Sequence, residues 1–376
     1  MRILLLSNLL STHTIKWAKA LSKTHDILIF GFSLPTPELK KELDGIDFVS
    51  TEIKDSKPFR NYSLKKLSYF QAVPLIRKII EDFKPDILHA HYATSYGLIG
   101  ALSGFHPFII SVWGSDVYDF PYRSFFHKIL LKHNLRKADI ILSTSNTMAD
   151  QVRKFTPKDI LVTPFGIDLK RFYKNRKINK QINNEIVIGT VKTLNKTYGI
   201  DYLIRAFKIL SDRNLNINMK LLIVGGGPME KELKKLTVDL KIDDRTLFTG
   251  NIQQDKVPEY LNMLDIYVAL SINESFGVAI IEAGACELPV VVSSVGGLVE
   301  VVENEKTGFI VAPKNSLEAA NAIEKLVLSE VTREEFGKNA RNRINELYNW
   351  DKNVELMNSI YSRLLTNNKY KKNLKH

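Results

Sequence analysis

Short apolar runs alternate with amphipathic segments along the N-terminal half of the chain. The segments between the runs have a helical period, as in Leu64–Phe83 and Phe125–Leu135. Strands that are apolar throughout and separated by helices predict a parallel sheet covered on both faces. The predicted strands are Ile3–Ser7, Ile27–Phe30, Ile87–His91, Phe108–Trp113, Ile140–Ser143 and Ile160–Val162.

A polar, lysine-rich stretch, Lys170–Asn184, interrupts this alternation and is interpreted as an interdomain linker. The α/β pattern then restarts, which predicts an α/β fold of two Rossmann-like, doubly wound domains facing a cleft, over residues 1–175 and 181–349. Ligands bind outside the carboxyl ends of the strands in such sheets. The second set of strands is Ile186–Val191, Leu221–Val224, Thr246–Thr249, Ile266–Leu270 and Val290–Ser293. Its helices include Ile200–Leu210, Met229–Leu240, Phe276–Cys286 and Leu317–Leu328.

The C-terminal end has an amphipathic pattern over Lys352–Leu365, followed by a basic stretch. We expect a helix over 350–366 that could complete the N-terminal domain. We expect the basic tail, residues 367–376, to fray.

The composition is that of a soluble globular protein, with 44% hydrophobic and 25% charged residues among 376. The only cysteine, Cys286, excludes an internal disulfide and gives no sign of an oxidising compartment. The first ten residues are too short an apolar run for a signal peptide, and no run approaches the ~20 residues that a membrane span needs. We therefore expect a cytoplasmic protein.

The net charge of +12 is confined to the N-terminal half. Residues 1–180 carry 28 Lys and Arg against 16 Asp and Glu, whereas residues 181–376 carry 25 of each. Such a field could attract nucleic acid, anionic lipid or an anionic substrate, or be no more than a lysine-rich surface. No nucleic-acid motif accompanies the charge, so nucleic-acid binding is not expected.

The segment with the most specific chemistry is residues 271–302, SINESFGVAIIEAGACELPVVVSSVGGLVEVV. Glu274 and Glu282 are separated by a predicted helix start at Ser-Phe-Gly. Eight helical residues rise ~12 Å, so the two carboxylates could contact opposite ends of an elongated ligand but not share one small site. The helix N-terminus between them could hold a diphosphate, and Gly277 would let the backbone approach it. Taken singly, Glu274 could also be a solvated loop carboxylate and Glu282 a buried ion-pair partner.

This string resembles the Glu-x7-Glu signature of the large retaining glycosyltransferase family 4, which has the GT-B fold. Four further segments resemble the family's linker-side, donor-phosphate, strand–glycine-turn–helix and base-binding segments. They are TPFGIDLKRF (163–172), GTVKTLNKTYGIDYLIRAF (189–207), LLIVGGGPMEKEL (221–233) and FTGNIQQDKVPEYLNMLDIYVALS (248–271).

The resemblance implies a donor site for a nucleoside diphosphate sugar. Glu282 would bind the ribose and Glu274 the donor sugar at its reacting end. Backbone N–H groups of Phe276, Gly277 and Val278 would hold donor phosphate or sugar hydroxyls. In the family an Arg and a Lys neutralise the leaving diphosphate, and this sequence offers Lys192 and Lys196 instead. Ile252 would lie beside the base. Arg-to-Lys replacement keeps the charge but loses the bidentate fork.

A glycine turn, Gly225–Pro228, follows the second predicted strand of this domain. It could contact the ligand through Gly226, or it could only close the turn. No Gly-x-Gly-x-x-Gly motif with an acidic residue ~20 positions later is present, so a dinucleotide cofactor is not expected. We expect no cofactor and no metal.

The sequence specifies the acceptor-binding residues less well than the donor-binding ones. The segment SVWGSDVYDFP (111–121) is similar to the family's His-Gly-Ser-Asp turn, with Trp113 where a His often stands. The candidates for acceptor contacts are Asp116, Ser115, Trp113, His91 and His13. His89 and His91 point to one side of a strand, and no third ligand is evident for a metal site there.

The segment 122–137, YRSFFHKILLKHNLRK, has one apolar stripe and is otherwise strongly basic. It is interpreted as a core-facing helix, or alternatively as a surface that contacts an anionic membrane.

Together these features predict a metal-independent, retaining hexosyltransferase that moves a sugar from a nucleotide sugar to an acceptor hydroxyl. UDP is the family's commonest donor nucleotide, and a surface polysaccharide or lipid-linked glycan its commonest bacterial acceptor. Two alternatives share the fold: a UDP-sugar 2-epimerase, which needs no acceptor, and a catalytically silent partner subunit.

Overall fold

The computed structural model describes residues 1–51, 62–175, 185–213 and 215–373. The chain forms two compact units, residues 1–164 with 352–376, and residues 165–351. Residues 165–175, which the sequence placed in the N-terminal domain, belong to the second unit because Phe165, Ile167 and Phe172 are buried there. Of the predicted linker, residues 176–184 lie outside the described residues.

The first unit contains a parallel sheet of seven strands within the described residues. Their order is β3-β2-β1-β4-β5-β6-β7, so the chain order reverses between β1 and β4. The strands are β1 Arg2–Leu6, β2 Asp26–Gly31, β3 Asp47–Ser50, β4 Ile87–His91, β5 Phe108–Val112, β6 Ile140–Ser143 and β7 Ile160–Val162.

Helices connect these strands and cover the sheet. Alternate residues of β1, β4 and β5 pack with residues of the long helix α3 and of α4 on one face. The residues between them are mostly buried as well, so these strands are covered on both faces. The helices are α1 Thr12–Leu21, α2 Pro37–Glu42, α3 Tyr62–Phe83, α4 Ser95–Ser103, α5 Ser115–Tyr118, α6 Phe125–Lys137 and α7 Asn146–Arg153.

The second unit contains a parallel sheet of six strands within the described residues, in the order β10-β9-β8-β11-β12-β13. Here the chain order reverses between β8 and β11. The strands are β8 Ile186–Val191, β9 Met219–Val224, β10 Thr246–Phe248, β11 Ile266–Ala269, β12 Val290–Ser293 and β13 Gly308–Val311. The helices are α8 Ile200–Asp212, α9 Glu230–Asp239, α10 Val257–Leu261, α11 Val278–Ala285, α12 Leu298–Val301, α13 Ser316–Leu328 and α14 Glu330–Leu347.

The last helix, α15, runs over Trp350–Asn373 and is therefore longer than the predicted one. The helix continues through residues 367–373 of the predicted frayed tail, and residues 374–376 lie outside the described residues. Residues from 352 onward belong to the first unit. The buried Tyr361 hydroxyl there forms a 2.7 Å hydrogen bond with Nδ1 of His89 on β4.

The prediction of two Rossmann-like parallel-sheet units is confirmed, but the two edge strands β3 and β13 were missed. Both are four residues long, and β3, Asp47–Ser50, has no fully buried residue. β3 is half polar and therefore lacks the continuous apolar run that marks the central strands. β13, with the sequence GFIV, is apolar and mostly buried, so polarity does not explain why it was missed.

Candidate active site

A buried ion pair lies at the carboxyl edge of the second unit's sheet. Lys192 directly follows β8, and Glu274 lies in the loop after β11, the neighbouring strand. Lys192 Nζ is 2.6 Å from Glu274 Oε2, and each side chain is only 14% exposed. The pair thus occupies the point where the strand order reverses, where ligands bind in sheets of this kind.

The ring of Tyr198 lies against the lysine. Its Nζ lies 4.3 Å from the ring centre of Tyr198, a cation–π distance. Burial lowers the pKa of Lys192, but the Glu274 carboxylate, together with Tyr267 and Tyr198, outweighs burial and leaves that pKa above its ordinary value. Lys192 is therefore fully charged at neutral pH. Neither tyrosine was predicted, because no periodic or motif signal distinguishes them from core aromatics.

The glycine turn after β9 packs against the backbone of this lysine. Gly225 has φ +130, and a Cβ there would overlap the Lys192 carbonyl oxygen. A Cβ on Gly226 would lie 2.7 Å from Asn251 Oδ1, and the Lys192 N–H donates to the Val224 carbonyl at 2.9 Å. The turn thus fixes the segment that carries Lys192, and this packing favours turn closure over ligand contact for Gly226.

The backbone of Glu274 is held in a similar way by the loop after β12. Gly296 has φ +48, and a Cβ on it would overlap the Glu274 carbonyl oxygen. The Gly297 N–H donates to that same carbonyl at 3.3 Å. Only glycine allows this approach, so the residues after β12 are part of the site that sequence reasoning missed.

The helix that carries the second signature glutamate begins later than predicted. Gly277, at φ +108, is the residue before α11, and Phe276 packs on Phe165 and Tyr348. The estimate of ~12 Å for a continuous helix between the two glutamates is therefore wrong, because residues 274–277 are not helical. Glu282 is 9% exposed in the otherwise apolar α11.

The remaining donor-side candidates lie on loops. Lys196 is exposed at the start of a 3-10 turn, Lys196–Tyr198, whose Thr197 carbonyl accepts a 2.8 Å hydrogen bond from the Ile272 N–H. Ile252 is half-buried after β10, and Val278 is half-buried as the first residue of α11. The structure thus pairs Lys192 with Glu274 and leaves Lys196 exposed.

The first unit has an aromatic and hydroxyl-lined edge at the corresponding place. His91, at the end of β4, stacks on Trp113, with ring centres 4.6 Å apart and planes inclined by 31°. A 3.0 Å hydrogen bond joins His91 Nδ1 to Ser7 Oγ, which lies 2.7 Å from Thr14 Oγ1. His13 meets the same indole edge-on at 6.1 Å.

The histidines of this edge are neutral at ordinary pH. Burial, with His13 nearby, lowers the pKa of His91 to about 3. Burial, with Lys16 nearby, lowers the pKa of His13 to about 4. Burial also holds the pKa of His89 well below its ordinary value, and His89 is fixed between Tyr361 and Ser111. These imidazoles can accept or donate hydrogen bonds but carry no charge.

Asp116 is fully buried and has a different role from the predicted acceptor contact. Its carboxylate accepts from the backbone N–H groups of Ala93 at 2.8 Å, Gly114 at 2.8 Å and Trp113 at 3.2 Å. It therefore fixes the turn that presents Trp113 and the exposed Ser115. The Ser115 hydroxyl is hydrogen-bonded to that of Tyr92.

The start of α6 exposes large apolar side chains. Phe125 is 74% exposed, Phe126 77% and Ile129 48%, whereas Leu131 and Leu135 anchor the helix to the core. Exposed basic residues precede the helix and continue along it: Arg123, Lys128, Lys132, Arg136 and Lys137. One stripe of the helix is therefore core-facing, as the first interpretation expected, whereas contact of the exposed start with a membrane stays a prediction.

Among the described residues, no group of three His, Cys, Asp or Glu side chains is arranged to hold a metal ion. None of the helices in these residues combines the length and apolarity that a membrane crossing requires.

Family models match both halves of the chain. Residues 2–145 match the model described as "Glycosyl transferase 4-like", and residues 172–343 match "Glycosyl transferases group 1". The chain therefore belongs to the group 1, family-4-like glycosyltransferases, as the signature around Glu274 and Glu282 indicated.

Three known proteins illustrate the similarity. The N-acetyl-alpha-D-glucosaminyl L-malate synthase of Bacillus anthracis is 26% identical over 352 residues, 86% of this chain and 89% of the relative. The putative teichuronic acid biosynthesis glycosyltransferase TuaC of Bacillus subtilis is 26% identical over 74% of this chain and 71% of its own. The crystal structure of Anabaena HepE in complex with UDP matches with a TM-score of 0.81 and 20% identity, over 97% of this chain and 100% of that one. The similarity of this chain to such solved glycosyltransferase structures establishes that it has the GT-B fold.

Proposed function

We propose that this protein transfers a hexosyl residue from a nucleoside diphosphate sugar to an acceptor hydroxyl with retention of the anomeric configuration. The observation that carries the proposal is the Lys192–Glu274 pair at the strand-order reversal of the second unit. A cation and a carboxylate placed together there match the two ends of a sugar diphosphate, one anionic and one rich in hydroxyls.

In the proposed reaction the acceptor oxygen forms a bond to the anomeric carbon on the face from which the diphosphate leaves. The bond between that carbon and the diphosphate oxygen breaks, and its electron pair stays on the diphosphate. The acceptor proton passes to the leaving phosphate oxygen, so the products are a glycoside and a nucleoside diphosphate.

Each donor-side residue has one task in this scheme. Lys192, with Lys196 from the adjacent turn, would stabilise the charge that develops on the diphosphate, so that no divalent metal is needed. The N–H groups at the start of α11 would add to that stabilisation. Glu274 would orient the donor sugar, and Glu282 would bind the ribose hydroxyls.

UDP is the proposed donor nucleotide, and a polysaccharide or lipid-linked glycan the proposed acceptor. The solved HepE complex contains UDP, and TuaC is named for teichuronic acid biosynthesis. Both observations concern relatives, and they support this choice over other nucleotides and acceptors.

We further propose that the start of α6 rests on an anionic membrane surface. Aromatic side chains exposed by three quarters, at the start of a helix with exposed basic residues, fit the interface of an anionic bilayer, where apolar burial and electrostatic attraction add. Cosedimentation with phosphatidylglycerol vesicles should be lost in Phe125→Ser/Phe126→Ser and kept in Val331→Ser, a control of equal exposure on α14. Equal binding of all three proteins, or equal binding to phosphatidylcholine, would contradict this surface.

The function is tested by incubating the purified protein with a panel of UDP-sugars and glycan acceptors. We expect release of UDP and a product whose anomeric proton and carbon couplings match those of the donor. Glu274→Gln should lose on the order of 10²–10³ in rate, whereas Glu324→Gln, in a part-buried ion pair with Arg213, should not. An inverted product would contradict retention, and donor turnover to an epimer without acceptor would favour the epimerase.

A further inference from the structure

One arginine of α14, Arg341, links the end of α11 to the segment with which the second unit begins. One terminal nitrogen of its guanidinium donates to the carbonyls of Ala285 and Phe172, and the other donates to the Leu169 carbonyl at 3.1 Å. Ala285 is the last residue of α11. A cation that donates to the free carbonyls of a helix C-terminus stabilises that helix end. Arg341 therefore holds the helix that carries Glu282.

The backbones of α11 and α14 approach each other closely at two glycines. A Cβ on Gly337 of α14 would lie 2.1 Å from the carbonyl oxygen of Glu287, just beyond α11. A Cβ on Gly284 of α11 would lie 3.0 Å from the Ile344 side chain. Packing this close leaves the two helices little freedom to slide past each other. The place from which the Arg341 guanidinium reaches its carbonyls is therefore set by the helix packing.

The segment that Arg341 binds also contacts the loop predicted to lie beside the nucleotide base. Arg171 lies between the two residues of that segment whose carbonyls accept from Arg341, and its own guanidinium donates to the Gln254 carbonyl. Ile252, the residue predicted to lie beside the base, comes two positions earlier in this loop. Arg341 thus connects α11 with the base-side loop through one short stretch of backbone, and all of these contacts lie within the second unit.

The chain's one cysteine, Cys286, lies directly after α11 and is 2% exposed. Burial, together with the nearby Glu282 carboxylate, raises the pKa of its thiol to about 12, and the Arg341 guanidinium opposes that rise. Both charged groups therefore lie within electrostatic reach of the same buried sulfur. A reagent can modify this thiol only when the end of α11 opens, so the rate of modification measures how firmly α11 is held.

We propose that Arg341 is a positioning residue of the donor site, which holds Glu282 and the loop at Ile252 at a fixed separation and thereby sets the affinity for the nucleoside part of the donor. This proposal rests on the proposed function, since it concerns how the same site binds its nucleotide. Arg341 touches no donor atom in this scheme, because its guanidinium donates to three backbone carbonyls. Lys192 and Glu274 are held by the glycines after β9 and β12 instead. Nucleotide affinity, and not the transfer step, is therefore expected to depend on Arg341.

Arg333, on the same helix, provides the matched control. Its guanidinium donates to the carbonyls of Leu326 at 2.6 Å and Val327 at 3.0 Å, in the last turn of α13. Arg333 and Arg341 are both half-buried, and α13 carries no residue of the proposed site. Replacing either arginine removes a contact of the same kind with a helix end, but only Arg341 holds a helix that contributes to the donor site.

The first measurement is isothermal titration calorimetry of UDP, ADP and GDP with the full-length wild type, followed by titration of the nucleotide that binds into Arg341→Met, Arg341→Lys and Arg333→Met. We expect Arg341→Met to raise the Kd, and the KM for a nucleotide sugar that the wild type turns over, by about tenfold, with kcat within about threefold of the wild type. Arg341→Lys should recover only part of the loss, because one ammonium keeps the charge but cannot bridge carbonyls that two guanidinium nitrogens bridge. Arg333→Met should bind as the wild type does.

The second measurement is the rate at which iodoacetamide alkylates Cys286 without nucleotide. We expect alkylation to be at least about tenfold faster in Arg341→Met, since the hydrogen bonds of a charged group are lost there, and unchanged in Arg333→Met. Thermal melts show whether each variant is folded at the assay temperature, and Arg341→Lys serves as the folded reference if Arg341→Met is not.

An unchanged Kd in Arg341→Met beside normal binding by the wild type would overturn the proposal and leave the proposed function standing. Equal losses of affinity in Arg341→Met and Arg333→Met, or complete recovery in Arg341→Lys, would overturn it as well. If none of the three nucleotides bound the wild type, the proposed function would be rejected together with the donor role of Arg341. Faster alkylation beside that result would leave only the hold of Arg341 on α11.

Discussion

Lys192 Nζ lies 2.6 Å from Glu274 Oε2, and this pair connects the ends of two adjacent strands, β8 and β11. Both side chains are 14% exposed, so each charge depends on the other for its solvation in this state. A diphosphate that binds at Lys192 would compete with Glu274 for the same ammonium. Donor binding and the release of Glu274 towards the sugar are therefore coupled in our account.

Removal of one partner should destabilise the fold more than removal of both. Lys192→Met leaves Glu274 without its cation, and we expect a loss of about 2–4 kcal/mol, because an unpaired, mostly buried charge remains. Lys192→Met/Glu274→Gln should recover most of that loss. Urea unfolding of the wild type, Lys192→Met, Glu274→Gln and the double variant measures the coupling energy between the two side chains. If the losses in unfolding free energy of the single variants simply added in the double variant, the pair would be contradicted.

The titration of Lys192 sets an alkaline limit to the stabilising contribution of this ion pair. Because the folded pKa of Lys192 is raised above the unfolded value of 10.5, its stabilising contribution is complete below pH 10.5. It is lost as the pH rises through the folded pKa. Wild type and Lys192→Met/Glu274→Gln should therefore converge or cross in stability only on the alkaline side. A stability difference that disappears between pH 6 and 9 would contradict the raised pKa.

Gly296 should be far less replaceable than Gly250, another glycine of the second unit with positive φ. Gly250→Ala adds a Cβ that meets nothing within 4 Å at φ +69, so only backbone strain of about 1 kcal/mol is expected. Gly296→Ala brings the same strain and an overlap with the Glu274 carbonyl. We expect Gly296→Ala to lose much more transfer activity than Gly250→Ala when both variants are measured in the same assay. Equal effects would show that the Glu274 backbone is not held there.

Acid should unfold the first unit through its histidines. The unfolded chain binds a proton at His91 below pH 6.5, whereas the folded chain does so only near pH 3. Stability must therefore fall as the pH drops through that window, by up to about 1.4 kcal/mol per pH unit for one such histidine. His91→Asn should reduce this slope in denaturant titrations at successive pH values, with His13 and His89 providing the remainder. An unchanged slope would contradict the neutral, buried state of His91.

The C-terminal helix should depend on one hydroxyl. Tyr361→Phe removes the 2.7 Å bond to His89 and leaves a buried nitrogen unsatisfied, at a cost of about 1–3 kcal/mol. Tyr96→Phe is the control, because its hydroxyl is 3.5 Å from the Phe32 N–H and should contribute less. Equal stability losses in urea would contradict this role of Tyr361.

The sequence predicted the α/β architecture because central strands such as Leu221–Val224 and Val290–Ser293 are buried on both faces and are therefore rich in apolar residues. It could not predict β3, whose residues are half-exposed at an edge. It also missed the C-terminal extension of α15, because polar residues in a helix give no periodic signal.

For the site, the motif identified Glu274 and Lys192 but not their mutual contact. That contact depends on strand order and on the close backbone approaches at Gly225 and Gly296, which a sequence does not display. For Asp116 the sequence suggested a contact with the acceptor. In the structure its buried carboxylate instead accepts hydrogen bonds from three backbone N–H groups. Tyr198 and Tyr361 have roles that only tertiary contacts define.

The central claim is that the carboxyl edge of the second unit binds a nucleoside diphosphate sugar through Lys192, Glu274 and Glu282. Its most direct test is thermal melting of the wild type and of Lys192→Met and Glu282→Gln with increasing UDP and UDP-sugars. A ligand at about 100 times its Kd stabilises the folded state by about 2.7 kcal/mol, which gives a clear rise in Tm. We predict this rise for the wild type and a much smaller one for each variant. No rise with any nucleotide sugar, or equal rises in all three proteins, would contradict the account.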